Sequence, residues 1–400
     1  MRSLQFDLSL PRYLSCKLAG RRFPSLYWHS AFSCLRYQEV PEPVLPNEEW
    51  VKVKVTYGGI CGSDINLICL HDSPSVSPFT SFPFTIGHES VGIVATIGQE
   101  VQHLQKGDRV VVNPVLSCAT RGIPVPCPAC ERGDYSLCSR MTEGIIAPGL
   151  LIGACKDTGG SWSSYFVAHR SQIVKLPDEV SDLNGVMAEP FSCALHGIMR
   201  NPPKNEDTVL VIGSGTIGIC IVAAIRALDI SCKIVVLSKY DFQTRLAFQY
   251  GADEVISVSR GHQYIYKVAK ILGAEVLKPV FGPPVLQGGA DLVIDCAGNS
   301  RSINDALRFA RRGGKVVLLG LAGILSRVDW THVWLNELDV KGCFAYGRGE
   351  FQMAVGLMAS GKVDLSSMVT HRFPLYQYKT AFPMIINKGT TACMKAVFEP

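Results

Sequence analysis

Two different rhythms of apolar and polar residues divide the chain. Between residues 50 and 112 the apolar positions come in short β-rich runs: 51–56, where Lys52 and Lys54 alternate with valines, then 91–97 and 110–112. Such alternation predicts strands with one face in a core and the other towards water. Glycine and aspartate separate the runs, so an antiparallel or barrel-like unit is expected, with two long excursions at 58–83 and 113–149. Loops carried by a rigid sheet are where chemistry tends to sit. After Asn201-Pro202-Pro203 the rhythm changes to strand, turn and helix, repeated. Strands are predicted at 209–212, 234–237, 292–295 and 315–319, and helices at 216–228, 242–250 and 303–311, the last stopped by Gly313-Gly314. Strands alternating with helices form a parallel sheet. Residues 278–289, with Pro283-Pro284 and three glycines, read as an inserted loop.

The most apolar stretch, 209–225, carries no charge before Arg226. Gly213, Ser214, Gly215, Thr216 and Gly218 mark it as a turn inside a buried strand-to-helix unit, not a membrane span. Asp7, Pro11, Arg12 and Lys17 interrupt the N-terminus, so a cleaved export signal is not expected and a cytoplasmic location is. A length of 400 residues exceeds one hydrophobic core and predicts two to three domains. Lys and Arg number 39 against 34 Asp and Glu, with no long basic run, which argues against nucleic-acid or membrane partners and for a small-molecule substrate.

Fifteen cysteines in such a chain predict reduced thiols. Cys16, Cys34, Cys69, Cys155, Cys220, Cys232, Cys343 and Cys393 are scattered and read as small hydrophobes. Cys118, Cys127, Cys130 and Cys138 crowd one segment rich in turn formers. Four thiolates, two of them in a Cys-x-x-Cys pair, suit a closed, structural zinc site. The long first spacing, 119–126, is the unusual feature.

An apolar strand followed by Gly213-Ser214-Gly215-Thr216-Ile217-Gly218 and an apolar helix forms a dinucleotide-binding turn. Gly213 permits the bend, Gly215 lets backbone approach a pyrophosphate, and Gly218 permits close helix packing. Where an acid would hold the ribose diol, Ser238, Lys239 and Tyr240 stand instead. A hydroxyl, a cation and an aromatic there favour NADP over NAD; Asp241, shifted by a longer turn, would restore NAD. Cys61 with Ser63 and Asp64, and His88 with Glu89, bring a thiolate, an imidazole and carboxylates from two polar turns, the mixed set of a catalytic zinc with an open position.

With these residues assembled, the chain resembles the zinc-containing medium-chain dehydrogenase/reductase superfamily, and within it the polyol and threonine dehydrogenase branch. The likeness runs from about residue 41 to the C-terminus and rests on Gly59-Ile60-Cys61-Gly62-Ser63-Asp64, Gly87-His88-Glu89, the cysteine loop, Ala188-Glu189-Pro190 with Ala194-Leu195-His196, and the glycine turn. The resemblance implies an α/β fold: a GroES-like β-rich catalytic domain, residues 1–190 and 346–400, interrupted by a Rossmann-type parallel-sheet nucleotide-binding domain, residues 191–345, with residues 1–40 an extension of unassigned role. It implies two zincs per chain, a homo-oligomer (dimer or tetramer), and hydride transfer between a secondary alcohol or polyol and a nicotinamide cofactor.

Carried over residue by residue, Cys61 and His88 match ligands of the catalytic zinc, Glu89 a carboxylate that ligates it in some relatives, and Glu189 the position of a further ligand. Neighbouring residues of extended chain point oppositely, so Glu189 competes with Glu89 unless a local turn intervenes. Asp64 corresponds to the carboxylate that orients the imidazole, and Ser63 to the hydroxyl that takes the substrate proton. A relay histidine is replaced by Asn66, which cannot titrate, so Glu189, water or cofactor hydroxyls would carry the proton onwards. Two other readings stay open on sequence alone: a non-catalytic zinc- and nucleotide-binding protein, and a zinc-independent quinone or enoyl reductase.

Overall fold

The computed structural model describes all residues except 30, 260, 321, 322 and 326. They cluster into two compact units, one of Met1–Ser192 with Ala345–Pro400, the other of Cys193–Phe344.

In the first unit a seven-stranded sheet runs in the order Val369–Pro374, Lys395–Glu399, Trp50–Gly59, Ser90–Ile97, Arg109–Val112 and Ile173–Lys175, with Tyr165–His169 also paired to Trp50–Gly59. The valines that alternate with Lys52 and Lys54 point inwards: Val51, Val53 and Val55 are buried with Val94, Val110, Val112 and Phe166. This is the predicted period-two pattern at work. The first excursion folds into the helix Gly62–Ile68 and a short helical turn at Pro74–Phe79. Residues 1–40, which carried no expectation, supply two strands of a second sheet, Leu35–Glu39 and Arg2–Phe6, completed by Phe84–Thr85, with the helix Leu10–Ala19 between them in sequence. Leu4, Phe6, Cys16, Trp28 and Leu35 join one core with Ile60, Phe84, Trp162, Phe382 and Phe398.

The second unit is built on six parallel strands in the order Glu254–Ser257, Lys233–Ser238, Thr208–Ile212, Ala290–Asp295, Ala310–Leu318 and Asp339–Gly342. The apolar stretch resolves into the strand Thr208–Ile212 and the helix Thr216–Ala227, whose residues from Gly218 to Ile225 are all buried. A helix apolar on every side belongs inside a core. Among the described residues no helix is long and apolar enough to cross a membrane.

Two local expectations change. The helix expected at 303–311 spans Ser300–Phe309, and Gly313-Gly314 lie inside the strand Ala310–Leu318. Pairing of Ala310 with Ala290 captures the chain directly after the helix, and the glycines fill a register shift before Lys315 meets Leu292. Residues 278–289 are not all loop, because Val285–Gln287 pairs antiparallel with Glu275–Leu277 as a hairpin.

Candidate active site and metal centres

The strand Trp50–Gly59 ends two residues before Cys61, which caps the helix Gly62–Ile68; the Cys61 backbone N–H donates to Asp64 Oδ2 at 2.8 Å. His88 and Glu89 precede the strand Ser90–Ile97. The alternation that would set them on opposite sides holds only in extended chain, and Gly87 breaks it with φ of +102°. A side chain at Gly87 would collide with Ser161 and Trp162. Donor atoms of Cys61, His88 and Glu89 thereby lie within 4.8 Å of one another.

Asp64 Oδ1 sits 3.4 Å from His88 Nδ1, which leaves Nε2 as the nitrogen free to face a metal. Burial opposes the charged imidazole, but the Asp64 carboxylate and the Cys61 sulfur overcome it and raise the His88 pKa. Glu89 is fully buried, and its Oε2 forms an ion pair with Lys395, whose ammonium also donates to the Ile60 carbonyl at 3.1 Å. Burial disfavours the charged Lys395, yet Glu89, Cys61 and Glu189 together hold its pKa above the usual lysine value. Glu89 Oε1 is buried with no hydrogen-bond partner among the described residues. An orphaned carboxylate oxygen beside a thiol and an imidazole is the environment a divalent cation satisfies. Glu189, in the first turn of the helix Ala188–Arg200, is buried and acts on Lys395, but it does not complete the ligand cluster.

Lys395 was not singled out from sequence. The available signal was a lone cation in the otherwise apolar run from Met394 to Phe398, all of it buried. Ser63 is half-buried on the same helix as Asp64. The loop that follows is tied back by the His71 N–H to the Asn66 carbonyl, 2.8 Å, and by Lys17 Nζ to the Leu70 carbonyl, 2.6 Å. There burial, with the nearby Asp64 charge, pushes the Asp72 carboxyl up to about 6.

The second cluster draws Cys118, Cys127, Cys130 and Cys138 within 4.8 Å of one another, with Cys118 and Cys138 sulfurs 3.7 Å apart. Two backbone N–H groups, of Cys118 and Cys127, donate to the sulfurs of Cys130 and Cys118. The hydrogen bond shared by Cys130 and Cys138 takes Cys138 down to about 5 and drives Cys130 up. Four sulfurs this close cannot all be anionic without a cation between them, so the donor set fits a metal with four thiolates. The long 119–126 spacing contains Arg121, completely buried, whose guanidinium donates to the carbonyls of Glu143 (3.1 Å), Ala147 (3.3 Å) and Gly149 (2.6 Å). The extra length thus carries a clamp for the rest of the lobe.

In the parallel-sheet unit Gly213 has φ of +96°, and a Cβ on Gly218 would lie 1.9 Å from the Gly213 carbonyl oxygen. Both glycines are demanded by the turn itself. Gly215 is different, since a Cβ there would meet nothing within 4 Å. Space that protein does not fill, at the start of the helix Thr216–Ala227, suits a phosphate. Ser238 is buried, and its hydroxyl is engaged with Ser214 (2.8 Å) and the Tyr240 carbonyl (3.2 Å). Expected beside a nucleotide phosphate, it is turned inwards because it ends a buried strand. Lys239 is exposed and Tyr240 half-buried, the ammonium 5.2 Å from the ring centre.

Residues 47–178 match the alcohol dehydrogenase GroES-like domain and residues 216–360 the zinc-binding dehydrogenase family. Over 328 residues the chain is 34% identical to L-idonate 5-dehydrogenase of Vitis vinifera, covering 82% of this chain and 81% of that one. It is 31% identical over 377 residues to sorbitol dehydrogenase of Arabidopsis thaliana, covering 93% and 94%. Among solved structures, a putative zinc-binding dehydrogenase from Sinorhizobium meliloti 1021 bound to NADP aligns with a TM-score of 0.71 at 28% identity, covering 92% of this chain and 95% of that one. The 2R,3R-butanediol dehydrogenase from Bacillus subtilis, at 24% identity and a TM-score of 0.72 over 92% and 96% of the two chains, shares the fold.

Proposed function

We propose that this chain, which belongs to the zinc-containing medium-chain dehydrogenase/reductase superfamily, oxidises a secondary alcohol or polyol, or reduces the matching carbonyl, with a nicotinamide cofactor. The observation that carries the reading is the cluster of Cys61, His88 and Glu89 with its orphaned Glu89 oxygen. Relatives named for idonate and sorbitol dehydrogenation support the substrate class.

When bound, zinc supplies a Lewis acid for the substrate oxygen and the nicotinamide supplies the hydride acceptor. Cys61, His88 and Glu89 would hold the metal. Asp64 keeps the His88 ring in one orientation through Nδ1. Lys395 balances the buried Glu89 charge and leaves the second carboxylate oxygen available. Ser63 accepts the hydroxyl proton of the substrate. Asn66 cannot take that proton further, so it leaves through Glu189, water or cofactor hydroxyls. The four cysteines would hold a second, structural zinc.

For the cofactor, the glycine turn would hold the pyrophosphate, while Lys239, with Tyr240, meets the 2′-phosphate of NADP. Support comes from the exposed Lys239; Asp241, also exposed at the start of the helix Asp241–Gln249, is the group that would instead bind a diol. One exposed lysine and neutral donors on a phosphate contribute about 1 to 3 kcal/mol, roughly five- to a hundredfold in affinity.

The test is a panel of secondary alcohols and polyols, each with NAD and NADP, alongside metal analysis of the purified protein. Turnover that stops with a chelator and returns with zinc is expected, with the lower KM for NADP. Turnover untouched by metal removal would overturn the catalytic-zinc assignment. A preference for NAD would overturn the role given to Lys239 alone.

A further inference from the structure

The segment between the first two strands presents a face that the dehydrogenase chemistry does not use. Its helix, Leu10–Ala19, begins after Ser9 with Pro11 in its first turn and turns Cys16 onto the core. On the other side Leu10, Leu14 and Leu18 follow one another at four-residue spacing, 70%, 56% and 84% exposed. Phe23 and Phe32 of the same segment are also exposed. Single exposed apolar residues are ordinary, but three leucines aligned on one helix face are a surface without its partner.

Charge identifies what covers it. From Leu8 to Gln38 the chain has Arg12, Lys17, Arg21, Arg22 and Arg36 and no aspartate or glutamate. The nearly even balance of the whole chain, which argues against an anionic partner, averages this segment away. Arg12 lies 3.6 Å from Asp7, and Lys17 is committed to the Leu70 carbonyl, whereas Arg21 and Arg22 stand exposed just beyond the helix. Two copies meeting through this face would bring like charges together with no acid from the segment to pair them. An amphipathic helix with an apolar stripe and neighbouring cations is suited to lie in the plane of a lipid interface.

We propose that the Leu10–Ala19 face docks on the surface of an anionic lipid bilayer, with the three leucines entering the headgroup boundary and Arg21 and Arg22 meeting lipid phosphates. A helix of ten residues gives a weak, reversible attachment that needs both parts. The proposal is independent of the substrate and cofactor readings, since these residues lie outside the site described above.

The experiment sediments the full chain with phosphatidylcholine vesicles and with vesicles containing phosphatidylglycerol, at low and high salt. Binding is expected only to the anionic vesicles, and salt should release it. Arg21→Gln with Arg22→Gln should lower partitioning about thirtyfold, the factor given by about 1 kcal/mol per cation. Leu14→Ser with Leu18→Ser should lower it about tenfold or more at unchanged charge, and both double variants should keep dehydrogenase turnover and Tm. No partitioning of the wild type onto anionic vesicles would overturn the proposal, as would partitioning that both double variants retain. Sedimentation velocity supplies another contrary result: an oligomer that the leucine variant dissociates would assign the face to a second copy of the chain. Salt-sensitive capture on polyglutamate beads that needs the leucines, without vesicle binding, would assign it to an acidic polypeptide.

Discussion

Cys61, His88 and Glu89 hang from strand ends and a helix start that are already part of a large core, with Trp162 Nε1 donating to the Gly59 carbonyl and Lys395 donating to that of Ile60. Cys118, Cys127, Cys130 and Cys138 belong to a lobe whose buried apolar cluster contains little besides themselves, Ile123 and Met141. The first group is preorganised by the fold, with one carboxylate oxygen left over. The second replaces a core, so a cation bound there would be part of what folds it. A metal bound at the first site should therefore serve chemistry at little structural cost on removal, and one bound at the second the reverse.

The sharpest way to break this contrast is Cys61→Ser or His88→Ala. Activity should fall on the order of a thousandfold, the loss of several kcal/mol of Lewis-acid stabilisation. Zinc should fall from two atoms to one per chain, and the melting curve should barely move. Either purified variant turning over at the wild-type rate would place the catalytic metal elsewhere.

Lys395→Met probes the support beneath the first site. It leaves Glu89 charged and buried, which costs about 3 to 5 kcal/mol when such a pair is broken. Urea unfolding should register that loss, and adding Glu89→Gln should recover much of the stability without the activity. A single variant as stable as wild type would mean that the ion pair is dispensable.

For the second site, Cys130→Ser should remove one zinc and lower Tm by on the order of 5 to 10 °C, as about 2 to 3 kcal/mol would in a domain of this size. Any fall in turnover should track the unfolded fraction. Retention of both zincs and the original Tm would refute the four-cysteine assignment.

The smallest effect is expected at Asp72, beside the first site. Its carboxyl is raised from 3.8 to about 6, so the folded state binds the proton more tightly than the unfolded chain. That contribution is complete below pH 4 and is lost as pH rises through 6. Asp72→Asn should therefore stabilise the protein by about 1 to 3 kcal/mol at pH 7 relative to wild type, with a smaller difference at pH 4. Equal shifts at both pH values would show that burial does not strain this carboxylate.

How legible these features were depended on how local their causes are. The parallel strands followed from apolar runs punctuated by glycine, and the cysteine lobe from spacing alone. Arg121 was read only as part of an overlong spacing, because its bonds go to carbonyls 22 to 28 residues away. Residues 1–40 carried no motif to read, and their strands form because Arg2–Phe6 pairs with Leu35–Glu39, some thirty residues on, and with Phe84–Thr85.

Residue chemistry and short-range geometry were thus within reach of the sequence: which side chains could ligate a metal, which glycines the strand-to-helix turn requires, and that one stretch of the chain folds as strand and helix in alternation. Choices between equivalent groups were not. Glu89 joins Cys61 and His88 where Glu189 does not, because Gly87 takes a positive φ under Ser161 and Trp162. Lys395 reaches Glu89 across 306 positions of sequence, and Ser238 turns inwards to Ser214 while Lys239 stays exposed. Each of these depends on which segments the packed core brings side by side, and a buried charge or hydroxyl must take whatever partner that packing supplies.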